Sequence, residues 1–153
     1  MRSPFDRASR EEGQLAVLVL GLFVVVLVFI LGAIDVTAAQ LARMRLLDTA
    51  DALALDAADA LDAGSVYQRG VDGPLVLTDA SVREAAQAHL SRTPRPTGVS
   101  SWSLVSPTGT PDGVTAEVTV RGRARLPMTG WVLESLGGGV TITVSSRARA
   151  PLG

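Results

Sequence analysis

The sequence predicts an α+β protein held to a membrane: a single N-terminal transmembrane helix continuing into a long amphipathic helix, then a small, mostly antiparallel β-sheet domain with short helices. Three observations predict it. The run LAVLVLGLFVVVLVFILGAI, residues 15–34, has no charged residue, and as a helix it is about 30 Å long, the thickness of a bilayer's hydrocarbon core. The stretch after it contains neither Pro nor Gly until Gly64 and is dominated by Ala, Leu and Arg, all good helix formers. The segments VTAEVTVRGRARL and VTITVSSRARA alternate apolar and polar residues with the period of a half-buried strand.

The first run is apolar all the way round, whereas a core helix of a soluble protein carries a polar stripe. A cleaved signal peptide is the stronger rival, because TAAQ at 37–40 offers small residues; yet a signal's apolar region spans only about 7–15 residues. Arg2, Arg7 and Arg10 precede the run and Arg43 and Arg45 follow at a distance, which tilts the positive-inside balance toward a cytoplasmic N-terminus. The expected organisation is a cytoplasmic tail (1–14), a transmembrane helix (15–34), an extracytoplasmic extension of that helix (35–63) and a small extracytoplasmic α+β domain (64–153). That is a single-pass protein of the cell membrane. Asp35 marks the membrane boundary: there a carboxylate reaches headgroup water, whereas at the bilayer centre it costs about 2.5–3.5 kcal/mol.

Composition narrows the function. The chain has 153 residues and a net charge of −1, with no basic block to bind nucleic acid. It has no Cys, so disulfides, thiolate metal sites and a Cys nucleophile are excluded. His89 is the only His, falls on the apolar side of a short predicted helix, and has no nucleophile motif near it. Glu11 and Glu12 flank the apolar run rather than facing each other across a cleft. Gly137–Gly139 precede a strand instead of opening a helix, so they form a turn and not a phosphate loop. No catalytic, cofactor-binding or metal site is expected, and no small-molecule substrate.

Past the membrane the helix is expected to run to about Leu61, with Gly64 as its stop. At 100° per residue Leu46, Ala50, Leu53, Ala57 and Ala60 form a packing seam, while Asp48, Asp51, Asp56, Asp59 and Asp62 fall on the opposite side. Only Ala52 and Leu55 intrude on the acidic side. Such a seam must be buried, either on this chain's own C-terminal domain or on a helical partner. The acidic stripe reads as a solvated face.

The segment EEGQLAVLVLGLFVVVLVFILGAIDVTAAQLARMRLLDTADALALDAADAL resembles the N-terminal part of TadE/TadG-like proteins of tight-adherence (Flp) pilus assembly. The features in common are a Gly before an apolar run, an Asp at its end, Leu residues flanked by Arg, and an Ala- and Asp-rich helix. Residues 10–61 carry the match. Pilin-type precursors of this group are cut after a Gly and carry Glu at the fifth position after the cut; after Gly13 that position is Leu18, which argues against Gly13 as a processing site. The chain therefore looks closer to TadG-related members. The resemblance implies a non-enzymatic, membrane-anchored component of Tad/Flp pilus assembly, minor pilin-like or accessory. Its partners would be the lipid bilayer and other pilus-assembly or pilin-like membrane proteins. The alternative is a tethered extracytoplasmic binding module.

The remaining elements follow in order. SVYQRGVDGPLVLT suggests a hairpin around Gly70–Pro74. Ser81 and Glu84 fit a capping box for a helix over 80–91, with Val82, Ala85, Ala86, His89 and Leu90 on one face. SWSLV suggests a strand. In the next strand Val114, Ala116, Val118, Val120, Ala124 and Leu126 face inward, while Thr115, Glu117, Thr119, Arg121, Arg123 and Arg125 face outward. TGWVLESLGGG suggests a short helix ended by glycines, and Val140, Ile142 and Val144 of the last strand face inward, with Arg147 and Arg149 outward. The sheet should thus have one apolar face covered by helix and one face rich in Arg, while Trp102 and Trp131 belong to core or rim.

Overall fold

The computed structural model describes residues 5–69 and 77–150, with side chains described over 13–59 and 77–150. Its first element, α1 (Phe5–Arg69), is one helix of 65 residues, about 98 Å long. It begins before Leu15 and continues through Gly64. A single Gly inside a helix costs only about 1 kcal/mol relative to Ala, and no second breaker appears until Gly70, so Gly64 does not stop it. Of the expected hairpin, Ser65–Arg69 is helix and residues 70–76 lie outside the described residues.

Two halves of α1 have opposite surroundings. Residues 13–30 are exposed on every side, with Phe29 at 74%. The stretch Gly13–Asp59 is long and apolar enough to cross a membrane, and its uncovered apolar half supports single-pass membrane anchoring. From Asp35 onward α1 has a buried stripe, because there it packs on the rest of the chain.

That partner is a three-stranded antiparallel sheet, β1 (Val99–Gly109), β2 (Thr115–Ala124) and β3 (Val140–Arg149), in the order β1-β2-β3. Alternation places Ala116, Val118, Val120 and Ala124 of β2, with Val144 of β3, in the core, while Val140 and Ile142 pack partly buried against it. α1 lies along β2 and β3, and α2 (Asp79–Arg92) packs on α1 and β1. Val82, Ala86 and Leu90 are the buried face of α2; Ala85 and His89 are half-buried. Its cap is Thr78 rather than Ser81. Thr78 has extended backbone and accepts from Ser81 N, and Ser81 Oγ accepts from Thr78 N, both at 3.1 Å. The box is thus displaced by one turn, with a Ser standing where Glu or Gln is usual.

One outward-facing residue of β2 is covered. Thr119 is buried because Pro107 and Thr108, in the irregular end of β1, fold over it: Thr119 Oγ1 donates to Pro107 O at 2.5 Å and Thr119 N donates to Thr108 Oγ1 at 3.1 Å. Pro107 has no N–H to offer the ladder, and the pairing of β1 with β2 shifts register between Val105 and Gly109. β2 and β3 are joined through α3 (Gly130–Ser135). Gly137, at φ +74°, takes the left-handed conformation that ends such a helix, and Gly138 N donates to Leu133 O at 2.7 Å.

Candidate functional site

The candidate functional surface is α1, and each stretch of it has a distinct chemical setting. Gly13 is in the helix, and among the described residues nothing lies within 4 Å of an added Cβ.

At the end of the apolar run the chain makes a polar junction. Asp35 is only 5% exposed. One carboxylate oxygen accepts Met128 N at 2.9 Å, and the other accepts Thr129 N at 2.8 Å and Thr129 Oγ1 at 2.5 Å. A buried carboxylate is tolerated only when its lone pairs are filled. Here the turn before α3 fills them and thereby fastens the sheet domain to the mouth of the apolar helix. The sequence alone offered the composition of this site, an Asp after an apolar run, but not the partner 94 residues away.

Farther along, Leu46, Ala50, Leu53 and Ala57 are essentially inaccessible and belong to the main core. The side chain of Ala60 lies outside those described. Ala42, Ala54 and Ala58 extend the stripe; they stand four residues from Leu46, Ala50 and Ala54 respectively, so steps of four along the helix also reach them. What covers these residues is this chain's own sheet and α2. Gly122 lets β2 approach closely: a Cβ added there would lie 2.7 Å from Leu46 Cδ1.

Much of the other side of the extension is exposed, though Arg45 Nη1 donates to Thr97 O at 2.7 Å. Asp48, Asp51 and Asp59 are exposed, and so are Leu41, Met44, Leu47 and Leu55. Asp56 is drawn aside: its Oδ2 lies 3.0 Å from His89 Nδ1, which ties α2 to α1 and gives the only His a structural task. On the outer sheet face Arg147 pairs with Glu117 at 3.0 Å, and Arg121, Arg123, Arg125 and Arg149 are exposed. Among the described residues no cluster of His, Cys, Asp and Glu could hold a metal ion.

Residues 13–67 match the Tad family, described as Flp pilus-assembly TadE/G-like. The match covers about a third of the chain and takes in the apolar run, Asp35, the buried stripe and the exposed acidic side. Searches of curated proteins and of solved structures gave no match.

Proposed function

We propose that this chain is a non-enzymatic, membrane-anchored component of Tad/Flp-type pilus assembly, minor pilin-like or accessory and closer to TadG-related members. Its N-terminus is cytoplasmic and its sheet domain extracytoplasmic. The observation that carries the reading is the family match over α1, joined to the uncovered apolar surface of that helix over residues 13–30.

The division of labour along α1 refines the mechanism. Leu46, Ala50, Leu53 and Ala57 are used in holding the domain, so contact with other assembly proteins falls to the membrane segment and to the exposed side bearing Leu41, Met44, Leu55 and the Asp residues. Apolar side chains among acids give a surface that can pack on a helix and select its charge. The test is a strain whose only copy carries Met44→Glu with Leu55→Glu. Both positions are more than half exposed, at 62% and 56%, so the protein should accumulate folded in the membrane while surface fibres are lost. Orientation is read from Ser3→Cys and Ser101→Cys, labelled with an impermeant maleimide in intact spheroplasts: only the Ser101 variant should react. A tethered binding module would instead keep normal fibres with both substitutions.

A further inference from the structure

Among the described residues, several apolar side chains of α3 and its flanks stand exposed. Trp131 is 73% exposed and Leu136 78%, with Val132 and Met128 beside them at 37% and 38%. On a wheel Trp131, Val132 and Leu136 fall within an arc of about 140°, and Glu134 lies outside it. Trp102, by contrast, packs partly buried against the core, so the exposure of Trp131 is a local property of α3.

Position says what covers this patch. Thr129, the residue before α3, donates two hydrogen bonds to Asp35, and Met128 donates a third. The six residues of α3 span about 9 Å, which keeps the patch close to the end of the apolar run. Arg123 comes to the same place, since its Nε would lie 3.2 Å from a Cβ at Gly139, and Arg125 is exposed just after β2. A Trp with neighbouring aliphatic residues and flanking Arg is the side-chain set that sits among headgroups at a bilayer surface.

We propose that α3 is a second membrane contact: Trp131, Val132 and Leu136 enter the headgroup region of the leaflet from which α1 emerges, with Arg123 and Arg125 beside lipid phosphates. The inference rests on the reading of residues 15–34 as membrane-spanning. The Asp35 junction then does more than end the apolar run: it holds α3 at the depth where a Trp is favourable. The domain lies against the membrane rather than swinging above it.

Full-length protein carrying Trp102→Phe, with Trp131 its remaining Trp, is reconstituted in phosphatidylcholine vesicles with and without brominated acyl chains. Trp131 emission should be quenched by about half or more. A second reporter, a fluorophore on Leu136→Cys, leaves Trp102 intact and should be quenched alike. The control is Phe23→Trp with Trp102 and Trp131 both replaced by Phe. Quenching at position 23 without quenching at 131 or 136 overturns the proposal and leaves the anchor standing. No quenching at 23 means that the anchor reading itself has failed, and the α3 contact with it.

Discussion

Asp35 and Thr129 are joined twice, by the Thr129 amide at 2.8 Å and its hydroxyl at 2.5 Å, across 94 residues of sequence. The end of the membrane-length apolar run and the turn into α3 are therefore one structural unit. Asp35→Asn keeps the shape but puts an NH2 donor against backbone N–H donors. We expect Asp35→Asn to insert as wild type does, since the charge does not drive insertion, and to lower the melting temperature of the domain in nanodiscs. Thr129→Val, which removes the hydroxyl alone, should have a smaller effect in the same direction. An unchanged melting temperature in Asp35→Asn would show that the junction does not bear on stability.

The buried stripe makes a second prediction. Leu46 and Leu53 are fully buried, and truncating such a Leu to Ala loses its transfer free energy and leaves a cavity, at about 2–5 kcal/mol. Denaturant unfolding of Leu46→Ala should show a loss in that range. Ala50→Glu, which forces a charge into the same core, should prevent stable folding, while Met44→Glu on the exposed side should leave the unfolding midpoint near wild type.

Gly122 is required by close approach rather than by backbone conformation. An added Cβ would meet Leu46 Cδ1 at 2.7 Å and Cδ2 at 3.0 Å, with Val99 Cγ1 at 3.2 Å. Leu46 is fully buried, so Gly122→Ala should cost about 1–3 kcal/mol by overpacking. Combining Gly122→Ala with Leu46→Ala should recover part of that loss, as a double-mutant cycle would show.

Much of this architecture is legible in the sequence, and what is hidden is hidden for physical reasons. Length and the lack of any charge identify the apolar run, while hydrophobic period identifies the Leu46–Ala57 stripe and the inward residues of β2, because those two elements repeat their burial at a fixed interval. Period says a face is buried but not by what, so the stripe left the choice between the chain's own domain and a partner helix open. Asp35 has no local signal for Thr129, since the contact depends on where β2 ends in space. Thr119 lies on the polar side of the alternation and is covered only because Pro107 and Thr108 fold across it. Gly64 fails as a helix stop because one glycine is a weak breaker. The exposure of Trp131 could not be read from its type, since Trp fits core, rim and membrane interface alike.

The turn between β1 and β2 carries an acid-sensitive element. Asp112 accepts Val114 N at 3.0 Å, Thr115 Oγ1 at 2.8 Å and Thr115 N at 2.6 Å. The Val114 amide, then the Thr115 hydroxyl, hold its carboxyl below the ordinary value of 3.8; partial desolvation opposes them, and the second amide and the Arg149 charge add to them. A carboxyl depressed in the folded state stabilises fully above its unfolded value and loses that contribution as pH falls through the folded one. Thermal melts from pH 7 to pH 2 should show Asp112→Asn less stable than wild type at pH 7, with the gap closing below about pH 4. A gap that stays constant down to pH 2 would assign the effect to packing.

The proposed role in pilus assembly is tested most directly by a count of surface fibres after clean deletion of the gene in its own host. Fibres should disappear and return with the wild-type gene supplied in trans. A deletion strain with normal fibres in normal number would contradict assembly as the function and favour a tethered binding module.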